Sequence, residues 1–127
     1  MDTAFREVGK PVVDPNGVEL GTVQEANEQY LTLGGAGLHL GRQFVERVLD
    51  KVFVRSNWGE MLAGLNIVDN TGEFVGVCKD TVEDNYSLKS LILEDEEGVK
   101  VTVPLDSIRT IDNWIELQVG QGEIYGT

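Results

Sequence analysis

The chain has 127 residues, 22 acidic and 10 basic side chains, and a net charge of −12, which leaves room for one ordinary domain or two very small ones. That acid excess excludes a face built to grip phosphate backbones and repels anionic membrane surfaces. At 41% hydrophobic the chain can form a core, yet it has no apolar run near the ~20 residues that cross a bilayer. The charge is uneven. Residues 1–60 carry nine acids and six bases, residues 61–127 thirteen and four, so the second half is the acidic one. Met1–Glu7 has neither the basic start nor the apolar stretch of a signal peptide. The single cysteine, Cys78, makes no internal disulfide, which fits a reducing cytoplasm.

In chain order, Pro11-Val12-Val13 is a short β-prone run, followed by the turn Asp14-Pro15-Asn16-Gly17 and a second run through Val18 and Leu20. Aspartate bonds backbone two residues on and glycine accepts positive φ, so this segment predicts a hairpin. Gly21 lies inside the second strand, where a missing side chain predicts a bulge or a barrel corner. Next come Tyr30–Leu33, the glycine-rich turn Gly34–Gly37, and Leu38-His39-Leu40. Phe44, Val45, Val48 and Leu49 have the spacing of one helical face, and Val52-Phe53-Val54 closes the segment.

The pattern then repeats. Gly9, Val13, Asp14, Gly17 and Gly21 recur 55 residues later as Gly64, Val68, Asp69, Gly72 and Gly76, with Val23 matched by Cys78. Leu91-Ile92-Leu93, the turn Glu94-Asp95-Glu96-Glu97-Gly98, and Val99–Val103 follow as strand, turn and strand. Pro104 starts a helical turn with Leu105, Ile108 and Ile111 on one face, and Trp114–Leu117 closes the second copy. The expected fold is all-β: two tandem small antiparallel barrels, each with a short helical turn before its last strand. The first spans residues 1–57 and the second 58–119, with a flexible glycine-rich tail at 120–127. Units this small have marginal cores, so packing together, strand exchange or dimerisation is expected, with Trp58 and Trp114 between the barrels.

Glycine, valine and aspartate in this arrangement (Gly9, Val13, Asp14, Gly17, Gly21 and Val23, then Gly64, Val68, Asp69, Gly72 and Gly76) resemble the PRC-barrel family. The resemblance covers nearly the whole chain, twice, and its motif is a structural hairpin. It implies a binding protein of the stand-alone archaeal type, some of which are implicated in cell division. That reading gives a non-enzymatic adaptor, cytoplasmic and recruited to the division site. It would self-associate as a homo- or hetero-oligomer, with division proteins or a related PRC-barrel protein as partners. The alternative is a ribosome-assembly factor that binds a basic ribosomal protein.

The residues themselves offer little chemistry. His39 alternates with Leu38 and Leu40 and is expected to point to solvent. Cys78 takes the place of an apolar residue and is expected to be a buried thiol. Neither Asp14…Glu19 nor Asp69…Glu73 has the alternating carboxylates of a calcium loop, and Gly34–Gly37 lacks the residues of a phosphate loop. The expectation is no catalytic residue, no cofactor, no metal and no direct nucleic-acid contact. Asp14, Gly17, Gly21, Asp69, Gly72 and Gly76 are structural turn residues. Candidate partner-binding residues are Glu94, Asp95, Glu96 and Glu97, which form either a solvated hairpin tip or a docking site for a basic partner. Ile124 and Tyr125 join them, either covering an edge of the chain's own barrel or adding to a partner's sheet.

Overall fold

A computed structural model describes residues 5–34, 37–85 and 87–125. The chain is all-β and built twice over. The first repeat runs β1 (Pro11–Val13), β2 (Glu19–Ala26), β3 (Tyr30–Leu33), β4 (Leu38–Gly41), a 3-10 turn at Arg42–Phe44, β5 (Val45–Val48) and β6 (Val52–Val54). A five-residue helix α1 (Trp58–Leu62) leads into the second repeat: β7 (Asn66–Val68), β8 (Phe74–Asp84), β9 (Ser87–Glu94), β10 (Lys100–Pro104), a 3-10 turn at Leu105–Ser107, β11 (Ile108–Ile111) and β12 (Ile115–Leu117). Helix α2 (Gln121–Ile124) follows. None of these helices is long and apolar enough to cross a membrane.

Within each repeat four strands run as a meander, and the last strand returns to pair parallel with the first, β6 on β1 and β12 on β7. Between the repeats β4 pairs parallel with β11, Thr110 beside His39 and Ile111 beside Leu40. The twelve strands therefore form one continuous sheet, in the order β10-β9-β8-β7-β12-β11-β4-β3-β2-β1-β6-β5. The ladder slips register between Val12 and Val13, opposite Gly21, and between Ile67 and Val68, opposite Gly76. These bulges bend both hairpins alike.

Alternation directs Leu31, Leu40, Ile67, Leu91, Leu93, Ile108, Ile111, Ile115 and Leu117 into a single hydrophobic cluster shared by both repeats. Each of these side chains is under 2% exposed, and full burial of such a residue is worth ~1.5–3 kcal/mol. Trp58 opens α1 inside the same cluster, whose N-terminus Asn57 caps by accepting from the Glu60 N–H at 2.8 Å.

Two expectations are corrected. The helical face at Phe44, Val45, Val48 and Leu49 is helical only over Arg42–Phe44. Val45–Val48 is a strand paired with β6, because β-branched valines opposite Val54 and Val52 fit a pleated ladder better than a helix. Trp114 does not sit between barrels: it lies in the β11–β12 turn, 52% exposed. In the tail, residues 121–124 form α2 with Ile124 packed against the shared core. Residues 126 and 127 lie outside the described residues.

Candidate protein-interaction surface

The turn residues form one device, used three times. Asp14 Oδ1 accepts from the N–H groups of Asn16 and Val18, both at 2.9 Å. Asp69 Oδ1 accepts from the N–H groups of Thr71 and Glu73 and from the Thr71 hydroxyl at 2.7 Å. Asp95 Oδ1 accepts from the N–H groups of Glu97 and Val99, both at 2.9 Å. In each case a glycine three residues on (Gly17, Gly72, Gly98) donates back to the aspartate carbonyl at 3.0 Å and takes φ between +81° and +88°, a region glycine enters without steric cost. The third use, Asp95-x-x-Gly98, has the same four-residue pattern, which its flanking glutamates obscure in the sequence.

The acidic turn sorts its four carboxylates into different jobs. Glu94 lies 3.5 Å from the Lys79 ammonium. Asp95 organises the turn and accepts from the Tyr125 hydroxyl at 2.9 Å. Glu96 and Glu97 are exposed at the tip. The Val99 N–H, with Tyr125 and the Glu97 and Gly98 backbone, holds the Asp95 carboxyl below its ordinary range, and partial burial followed by the Asp95 bond pushes the Tyr125 phenol up. At the other end of α2, Gln121 Nε2 donates to Asp69 Oδ2 at 3.5 Å and Glu73 Oε2 at 3.4 Å. Helix α2 thus bridges the Asp69 and Asp95 turns. Of the two tail residues singled out in the sequence, Ile124 is spent on the chain's own core, while Tyr125 remains 39% exposed beside the acidic tip.

The groups most able to do chemistry are occupied otherwise. His39 is half-buried on β4, its Nδ1 sharing a 2.9 Å hydrogen bond with Thr32 Oγ1 and its ring centroid 4.2 Å from that of Tyr30. It therefore stacks on the sheet instead of standing free in solvent. Cys78 is buried, and loss of hydration pushes its thiol up to about 11, which removes the thiolate that a reactive cysteine needs. Among the described residues no three His, Cys, Asp or Glu side chains are placed to hold a metal ion. A groove of about 230 Å3 beside Trp58 is lined by Leu20, Leu33, Leu38, Leu88 and Leu105 together with Ser87 and Lys89, a mostly apolar lining with no acidic side chain among its residues.

Two features went unread in the sequence. One is the β8–β9 hairpin, whose strands of 11 and 8 residues exceed the 8 and 4 of β2–β3. Beyond the span matched by β2 it carries exposed Val82, Glu83 and Asp84, next to exposed Asp80, so this arm adds to the acid of the second half. The other is the ion pair of Glu7 and Arg42, whose atoms Oε2 and Nη1 are 2.6 Å apart. Glu7 is 5% exposed, and Arg42 Nε also donates to the Asn27 carbonyl at 2.6 Å.

No family model and no curated protein matches the chain. Among solved structures it is similar to a 16S ribosomal RNA processing protein, RimM, of Pseudomonas aeruginosa, at 15% sequence identity and a TM-score of 0.41. The match covers 50% of this chain and 43% of that one. The chain therefore spans less than half of that protein's length, and a likeness at this level says nothing of shared partners.

Proposed function

We propose that the chain is a non-enzymatic protein-binding module that recognises a basic partner through the acidic turn and arm of its second repeat. The observation that carries this reading is the pre-ordered tip: Asp95, Gly98 and Tyr125 fix the turn, and Glu96 and Glu97 project from it. A recognition element already held in shape loses little entropy on binding, and concentrated negative charge speeds encounter with a positive surface and selects for it. In its specific form the partner is a basic ribosomal protein, and the chain assists ribosome assembly through protein contact instead of RNA contact, as its charge requires. The cell-division reading rests on the PRC-barrel resemblance alone, and nothing in the described surface adds to it.

Sedimentation of the purified chain with small ribosomal subunits tests the proposal. Co-sedimentation is expected at low salt, weakening as salt rises, and lost in the double variant Glu96→Lys, Glu97→Lys with the fold unchanged. A chain that stays in the supernatant at every salt concentration contradicts the ribosomal form. Binding that survives the double variant contradicts the acidic tip as its site.

A further inference from the structure

The two ends of the sheet are not arbitrary strands. Between β4 and β10, and between β5 and β11, the repeats correspond residue by residue at an offset of 63: Leu40 matches Val103, Val45 matches Ile108 and Val52 matches Ile115. Inside the chain β4 has β3 on one side and β11 on the other, and β11 has β12 and β4. Their counterparts are half satisfied. Among the described residues β10 pairs only with β9, and β5 only with β6. The β4–β11 junction joins two unlike edges, and one edge of each kind remains open, the arrangement that lets a contact propagate from copy to copy.

We infer that β10 of one copy pairs in parallel with β5 of a second copy, in the register of the junction that joins the repeats. The β4–β11 register places Thr110 beside His39 and Ile111 beside Leu40. Carried across the offset, it places Arg47 beside Thr102 and Val48 beside Val103. The side chains fit that placement. Leu40 and Ile111 are fully buried on the core side of the junction, Val103 is 1% exposed, and Val48 is half-buried with room to become buried. His39 and Thr110 occupy the outer side, as exposed Thr102 and Arg47 would. Lys100 begins β10 one step from the position facing Glu46, so the charges at that end attract. Each edge is short, with Lys100 and Pro104 bounding one and Glu46 and Arg47 on the other, features that discourage pairing with a random strand and leave the matched edge as the partner. Helix α2, tied to the Asp95 turn, also lies against β10, while Thr102, the residue placed beside Arg47, remains exposed.

This surface is separate from the acidic tip, so either proposal can fail alone. The test uses the full chain with Cys78→Val as background, Val23 being the buried counterpart of Cys78 in the first repeat. One preparation carries Arg47→Cys and the other Thr102→Cys. Neighbouring residues on paired strands lie about 4.8 Å apart, within the range a disulfide spans. Mixed under mild oxidation, the two should join as a mixed disulfide roughly ten times faster than Arg47→Cys with a control Glu96→Cys, since pairing raises the effective thiol concentration. A rate equal to the control overturns the inference. So does a monomeric internal disulfide in the double variant Arg47→Cys, Thr102→Cys, which would mean the two edges close on each other within one chain. An oligomer that forms without this cross-link overturns the register while leaving association itself in place.

Discussion

Gly76 shows how a single missing atom governs this sheet. A Cβ built there would lie 2.5 Å from the Glu94 carbonyl oxygen and 2.9 Å from Leu93 Cδ2, so β8 can approach β9 only as glycine. Gly76→Ala is expected to cost about 1–3 kcal/mol, as overpacking does in a filled core, read as a lower urea midpoint at unchanged slope. The turn aspartates make a second, pH-dependent contribution. The Thr71 hydroxyl and backbone N–H groups hold Asp69 below its ordinary value of 3.8, and the Val99 N–H leads the groups that lower Asp95. A lowered folded value means stability that is present above the ordinary value and lost as pH falls through the folded one. Tyr125 has the opposite sign. Its raised value gives stability that is present below 10 and lost as pH rises through the folded value. Tyr125→Phe should therefore free α2, seen as faster amide exchange at residues 121–125, with a global stability change within ~0.5 kcal/mol because the site is at the surface.

At the scale of elements, the repeats differ where one has charge and the other has hydrocarbon. By the correspondence of the repeats Glu7 stands where Leu62 stands, and Arg42 where Leu105 stands. The same two positions are filled by an ion pair in one copy and by two leucines of the core region in the other. Breaking a buried pair leaves an uncompensated charge and costs ~3–5 kcal/mol, whereas replacing both partners with apolar residues is often neutral. Arg42→Leu is expected near the lower end of that range, since a quarter of the Arg42 side chain is exposed. The double variant Glu7→Leu, Arg42→Leu should recover most of the loss in denaturant titrations. Recovery of nothing would show that the copies are not interchangeable here. Arg42 holds the Glu7 carboxyl below 4.5, so the pair's contribution is present above that value and fades as pH falls through the lower folded one.

The hairpins were legible in the sequence because Asp-x-x-Gly and alternating valines act over four or five residues, and local hydrogen bonds decide them. The segment after β4 was not. Phe44, Val45, Val48 and Leu49 satisfy a helical spacing, and only the cross-strand partners Val52 and Val54, supplied by the returning chain, settle the matter for a strand. The candidate site divides the same way. The acidic tip stood out by composition, but its organiser, Tyr125 on Asp95, joins residues 30 apart in sequence. The Glu7–Arg42 pair spans 35. Neither has a local pattern that could announce it.

For the whole molecule, the central claim is that two diverged repeats make a body that acts by contact. By the two proposals, it would offer an acidic tip to a basic partner and two unlike sheet edges to its own kind. The most direct measurement is the mass of the purified chain in solution, by sedimentation or native mass spectrometry, over a wide range of protein concentration. The prediction is a 14.0 kDa species at high dilution that gives way to dimers or longer assemblies as concentration rises, and that stays monomeric when Val48→Glu puts a charge on the core side of β5. A single 14.0 kDa species at every concentration would contradict it.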